Sequence, residues 1–333
     1  MKKALIGILA TALILSFVYM LGPHPSKPKY STILPTIPSN PDSLNHYIAA
    51  KEAVHKLRTD NEARVVWLSD SLKKQTEYAI VYLHGFSASQ GEGAPTHSQI
   101  AKEFGCNLYL ARLSEHGIDT TEQLINLSAD SYWETAKEAL AIGKKIGKKV
   151  ILMGTSTGGT LALQLAATYP DEVAGLVLYS PNVAIYDKNA WLLNKPWGLQ
   201  IARKVVGSNY LNSSDTTELS RRYWNMHYRL ESAVALQEIV STSMIKENFI
   251  KIHQPTLALF YYKDEEHQDH TVKVEAIKNM ISIISTPDSL KRAIAIPNAE
   301  NHVLGSPIRS KDVASVKKET ESFLSEVMKL REL

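Results

Sequence analysis

The stretch "KKVILMGTSTGGTLALQLA", residues 148–166, places Ser156 between Gly154 and Gly158, where an apolar run passes into a helical pattern. A hydrolytic serine must project its hydroxyl off the backbone to where a base can reach it. A sharp strand-to-helix turn does this, but it strains the backbone and demands small neighbours. Gly154, Gly158 and Gly159 meet that demand. The helix after the turn points its first N–H groups at the same spot and favours negative charge there. G-x-S-x-G alone is a weak pattern, whereas between a hydrophobic strand and an apolar-periodic helix it is a strong one. The simpler alternative is a serine in a tight turn with no chemistry. A nucleophile also needs two donors aimed where negative charge develops. One is the backbone N–H of Thr157. The loop "YLHGFSASQGEG" offers the other, because Gly85 allows a sharp turn that leaves the N–H of Phe86 free. His84 and His97 lie nearby, and a supporting or pocket role is expected for both.

These groups need elements to hold them. The segments "ARVVWL", "EYAIVYLHG", "CNLYLARL", "KKVILMG", "VAGLVLYS", "PTLALFYY" and "KRAIAIPNA" read as strands, several of them nearly all apolar, as strands buried on both faces are. Helical patterns lie between them, including "THSQIAKEFG", "SADSYWETAKEALAIGKKIG" with Ser128 or Asp130 as its cap, and "VKVEAIKNMISII". A last helix is expected over "KDVASVKKETESFLSEVMKL". This alternation predicts an α/β fold, a mostly parallel central sheet flanked by helices on both faces. Residues 181–254 break the rhythm with helical patterning and the aromatics Tyr186, Trp191, Trp197, Tyr210, Tyr223, Trp224 and Tyr228. So long a stretch between two core strands is read as an inserted helical cap, or lid. The body then comprises residues 41–180 and 255–333.

"HGF" after a strand, "GTSTGG" at an elbow, an acid after a late strand and a histidine near the C-terminus together resemble the α/β-hydrolase superfamily. The likeness is to capped esterases, monoacylglycerol lipases and the serine aminopeptidase-like group, and it covers about residues 60–330. It implies a triad in the chain order serine, acid, histidine. It places the general base at His302 in "IPNAENHVLGS", after the last strand and before the last helix. His116 sits in a mid-chain loop like a structural turn of that family, and His227, His253, His267 and His270 lack the strand-end context. Two acids compete in "PTLALFYYKDEEHQDHTVKVEA". Asp264 fits when counted forward from the strand. Asp269 fits when counted back from the helix, where "DHTVKVEA" resembles the family's D-x-x-V stretch. Glu265 and Glu266 beside Asp264 would resist another buried carboxylate, so Asp269 is preferred.

The expected reaction is ester hydrolysis through an acyl-enzyme on Ser156, with a small hydrophobic ester as substrate and no cofactor or metal. A peptidase or amidase of the aminopeptidase-like group is the alternative, and acidic cap residues (Asp187, Asp215, Glu218, Glu231, Glu238, Glu247) would then be sought to hold an ammonium. A non-catalytic, membrane-tethered binding protein is a more distant reading. Dehalogenase and epoxide hydrolase chemistry need an aspartate where Ser156 stands. A net charge of +3 is too small to argue for nucleic acid, and the lysines at 144, 145, 148 and 149 read as a solvated helix end. The single cysteine, Cys106, excludes an internal disulfide and reads as a small core residue. At the N-terminus, Lys2 and Lys3 precede a run without charge from Ala4 to Gly22, near the length that spans a bilayer. Residues 1–22 are read as a membrane anchor, with a cleaved signal as the alternative, because no small-residue cleavage site follows. Either reading puts the body on the exported side. Residues 23–40, rich in proline, form a semi-extended tether.

Overall fold

The computed structural model describes residues 2–215 and 217–333. Helix α1 (Lys2–Met20) buries none of its side chains and is long and apolar enough to cross a membrane. The proline-rich stretch that follows lies along the body. Asp130 accepts from the N–H of Lys29 at 2.9 Å and of Tyr30 at 3.0 Å. The Trp133 indole donates to Ser31 O at 2.7 Å, and the buried Lys137 ammonium to Ile33 O at 2.9 Å. Prolines have no N–H to give to a helix or a ladder, so this segment is held by side chains of the body. Helix α2 (Pro41–Glu52) begins where the Asn40 side chain accepts from the N–H groups of Asp42 and Ser43.

The core runs β1 (Arg64–Val66), β2 (Thr76–Leu83), α3 (Thr96–Glu103), β3 (Asn107–Leu110), α4 (Ala129–Ile146), β4 (Gly147–Thr155), α5 (Thr157–Thr168) and β5 (Gly175–Tyr179). A helical excursion follows, comprising α6 (Gly198–Val206), the hairpin β6 (Tyr210–Asn212) and β7 (His227–Arg229) with α7 (Glu218–Tyr223) between them, α8 (Glu231–Ser243) and α9 (Lys246–Phe249). The chain then returns as β8 (Thr256–Phe260), α10 (Val274–Ile283), β9 (Lys291–Ala295) and α11 (Val313–Ser322). Seven strands form one sheet in the order β1-β3-β2-β4-β5-β8-β9. All neighbours are parallel except β1, which pairs antiparallel with β3 at the edge. The α/β fold expected from the alternation of strands and helices is therefore present. Ser128, not Asp130, caps α4, through a capping box with Ser131. The last helix is shorter than its sequence pattern, because α11 gives way at Phe323 to a wider turn.

Side chains alternate across the central strands. Val81, Leu152 and Leu178 face α4 and α5, while Tyr82, Met153 and Tyr179 face α3 and α11. Burial on both faces explains why these strands read as continuous apolar runs. The excursion between β5 and β8 divides physically. Helix α8 sends Ala235, Ile239 and Val240 into the main core, whereas Tyr223 and Trp224 at the end of α7 cover the loops at the C-terminal edge of the sheet.

The turn from β4 to α5 is tight. Ser156 has φ 53° and ψ −115°, a backbone state that costs an L-residue about 1–3 kcal/mol. A Cβ on Gly158 would stand 1.9 Å from Leu83 O, and one on Gly154 would stand 2.5 Å from the Gly158 carbonyl carbon. Helix α5 is thus pressed directly onto the ends of β2 and β4. Gly158→Ala is expected to lower the stability by about 3 kcal/mol through backbone displacement, read as a lower midpoint in thermal unfolding. Trp133→Ala, which empties a fully buried site and releases Ser31, should cost about 3–5 kcal/mol by the same measurement.

Candidate active site

Ser156 is positioned entirely by main chain. Its N–H donates to Tyr179 O at 2.9 Å, and its carbonyl accepts from Thr160 at 3.1 Å and Asn182 at 2.9 Å. These bonds fix the left-handed turn between two parallel strands. The residue is only 5% exposed, and its hydroxyl has no hydrogen-bond partner among the described residues.

His302 follows β9 in a loop at the same edge of the sheet. Its Nδ1 lies 2.6 Å from Asp269 Oδ2, and Nε2 is buried without a partner. The second oxygen of Asp269 accepts from the N–H groups of Thr271 at 2.8 Å and Val272 at 3.2 Å. Since a carboxylate only accepts, the imidazole donates through Nδ1 and Nε2 is left as the acceptor. Burial opposes ionisation of Asp269, yet the His302 charge and these hydrogen bonds hold it below the ordinary carboxylate range. Burial likewise disfavours a charged His302. The Asp269 carboxylate, helped by Glu92, outweighs that and raises the imidazole above its usual 6.5. Asp264 lies elsewhere, half-exposed and 2.8 Å from His267 Nδ1. The structure thus brings Asp269 to His302 and leaves Asp264 in a loop pair of its own. Of the remaining histidines, His227 contacts Asn212 and His270 packs on Tyr186.

The loop after β2 is braced by three buried histidines. Leu113 N–H donates to His84 Nε2 at 3.0 Å, so His84 Nδ1 carries the proton it gives to Gly85 O at 2.9 Å. Ser87 N–H donates to His116 Nε2 at 3.0 Å, and His116 Nδ1 in turn donates to Ser114 O at 2.7 Å. His97 Nε2 contacts Gln90 O at 3.0 Å. Burial pushes His84 and His97 down to about 4 and His116 well below its usual value, so all three are neutral braces. The loop they hold presents the N–H of Phe86, and the start of α5 presents that of Thr157. Neither N–H has a partner among the described residues.

Sequence reasoning missed two features here. Glu92, in the same loop, is buried and accepts the Gly85 N–H at 2.6 Å. Burial pushes its carboxyl up to about 7, against that hydrogen bond and the nearby His302 and Arg309. An acidic residue in a Gly-rich loop gives no sign of burial, so only the fold discloses it. The other feature is the fastening of the segment between β5 and β8 to the loops at this edge of the sheet. Asn225 N–H donates to Ser87 O at 2.6 Å, and Trp224 packs on Ala88 and Val303. Arg58 donates to Trp224 O at 2.5 Å, Tyr223 to Asp60 at 2.7 Å, and Arg309 pairs with Asp215 while lying over the Trp224 ring. Residues 217–228 therefore cover this edge of the sheet, with Phe86 edge-on to Tyr228 at 5.3 Å.

Several solved structures share this architecture. One, described with the metagenome-derived lipolytic enzymes LipS and LipT, superposes with a TM-score of 0.63 at 15% identity, covering 81% of this chain and 100% of that one. The monoacylglycerol lipase of Paleococcus ferrophilus gives 0.56 at 15% identity over 80% of this chain and 99% of its own. Est1E of Butyrivibrio proteoclasticus, with ferulic acid bound, gives 0.54 at 15% identity over 80% and 95%. No curated protein matches the sequence. Residues 74–294 match the family described as serine aminopeptidase, S33, and the chain belongs to that family of the α/β-hydrolase superfamily.

Proposed function

We propose that this chain is a serine hydrolase of carboxylic esters, tethered to a membrane by α1. The observation that carries the reading is the His302 ring, fixed at Nδ1 by Asp269 and left with a buried, unpartnered Nε2 at the edge of the sheet where Ser156 sits. An imidazole held in that tautomer is a base awaiting a proton. Ser156 Oγ attacks the ester carbonyl carbon while its proton passes to Nε2. The N–H groups of Phe86 and Thr157 receive the oxyanion, and Asp269 balances the imidazolium. The carbonyl re-forms, the C–O bond to the alcohol breaks, and the alcohol takes the proton from Nε2. Water then attacks the acyl-enzyme, gives a proton to Nε2, and the acid leaves as Ser156 regains its hydrogen.

An apolar acyl group is favoured by the lining, where Phe86, Trp224, Tyr228 and Val303 surround the approach. The lid must lift to admit it. Of the six cap acids, Asp215, Glu218 and Glu231 are paired with arginines and Glu238 accepts from Asn194, which leaves Asp187 and Glu247 as the ones without a cationic or side-chain partner among the described residues. An N-terminal peptide would need one of these two to hold its ammonium. The exposed apolar helix α1 supports the membrane anchor. So does Trp197, whose indole donates to Val18 O in the last turn of α1, a placement suited to the headgroup level of a bilayer.

A fluorophosphonate probe should label the folded wild-type chain on Ser156 and leave Ser156→Ala unlabelled. On p-nitrophenyl esters of graded chain length, Asp269→Asn should lower kcat about 10⁴-fold, whereas Asp264→Asn leaves it unchanged. Serine-dependent turnover of aminoacyl anilides alone would establish the peptidase instead. The pH dependence follows from His302, which acts only when neutral and whose pKa is raised. The acid limb of kcat/KM should therefore lie above pH 6.5, activity falling as the pH drops through it.

A further inference from the structure

Glu92 takes no part in the reaction as written, yet its carboxylate forms part of the active-site wall. It ends the short turn Gln90–Glu92 and is 2% exposed. One oxygen accepts the Gly85 N–H at 2.6 Å, its only hydrogen bond among the described residues. The other lies 2.8 Å from where a Cβ on Gly85 would stand, and Ser156 Cβ lies 3.1 Å from that same point. Carboxylate and nucleophile therefore close on Gly85 together. The titratable and charged groups that face Glu92 are His302 and Arg309 from the loops after β9, Tyr82 from β2 and Tyr132 from α4. His302 in turn is faced by Asp269 and Glu92.

We propose that Glu92 is a second carboxylate of the active site, a positioning residue that fixes the Gly85–Phe86 turn and shares with Asp269 the charge of the His302 imidazolium. When Nε2 takes the serine proton, a positive charge appears in a nearly closed, poorly hydrated space. Asp269 balances it at Nδ1. Glu92, in the wall of the same chamber, adds a second negative charge and makes proton uptake easier. Its grip on the Gly85 N–H also occupies that donor, which leaves Phe86 as the loop's donor to substrate. The proposal rests on His302 acting as the base for Ser156.

Glu92→Gln tests it, because the amide oxygen still accepts from Gly85 while the charge is gone. The acid limb of ester kcat/KM is expected to move about one pH unit lower, with kcat down about tenfold and KM unchanged. An acid limb that stays in place, in a wild type that reacts with fluorophosphonate, would sink the role of Glu92 and spare the serine mechanism. A wild type inert to the probe overturns both. Should Glu92→Gln fail to fold, infrared difference spectra of the wild-type chain with ¹³C-labelled glutamate decide the matter. A glutamic acid carboxyl that loses its proton near neutrality, and shifts when the probe occupies Ser156, is the expected result. Absence of such a carboxyl overturns the proposal.

Discussion

The close approach of α5 to the end of β2 governs the site. A helix whose first turn touches Leu83 O through Gly158 leaves the intervening residue no ordinary backbone state, and Ser156 is driven to φ 53°. Strain of about 1–3 kcal/mol persists only where the surroundings over-determine it. Here they do, since the Ser156 peptide is pinned by hydrogen bonds to Tyr179, Thr160 and Asn182. The sheet thereby stores strain at its centre, beside β5, and turns the Ser156 side chain off the line of the chain. The glycines are a consequence of that packing.

Around this rigid point the polar groups solve one problem, which is how to hold loops in a space that water scarcely reaches. A buried donor or acceptor left unpaired costs about 1–3 kcal/mol, so each turn needs a partner that is not itself charged. Neutral histidines suit this because each ring offers one donor and one acceptor. His84 and His116 use both, each tying the chain after β2 to the chain after β3. Burial keeps these rings neutral, whereas the Asp269 carboxylate raises His302 above its usual value.

Much of this was legible in the sequence, for reasons that differ by element. The parallel sheet was readable because strands buried on both faces must be continuously apolar, as "IVYL" and "VILM" are. The serine turn was readable because its glycines are contiguous and local. The short edge strand β1 gave no hint of its antiparallel direction, which only its pairing with β3 decides. Asp264 and Asp269 each fitted the spacing when counted from one end, and Asp269 was preferred because Glu265 and Glu266 crowd Asp264. They differ physically in burial and in the Thr271 and Val272 N–H groups that receive Asp269, neither of which spacing encodes. Glu92 and the Arg58 and Arg309 clasps were invisible for a related reason. Each depends on segments far apart in the chain meeting over the sheet, and a charged residue in a loop looks solvated until the fold covers it.

That covering has an electrostatic consequence as well as a steric one. Trp224 and Tyr223 pack with Ala88 and Val303 on the loops that carry the buried Glu92 and His302, and fixed charges interact more strongly in such buried surroundings than in solvent. The same closure makes Glu92 hard to ionise, so the chamber sets one carboxylate to stay charged and the other to titrate near neutrality. Burial of this space disfavours the charge on His302, and the Asp269 carboxylate, helped by Glu92, raises the imidazole above its usual 6.5 against that penalty. Cover by residues 217–228 thus works against the imidazolium while strengthening the pull of a neighbouring carboxylate, which is why the ring needs a buried, hydrogen-bonded acid at Nδ1.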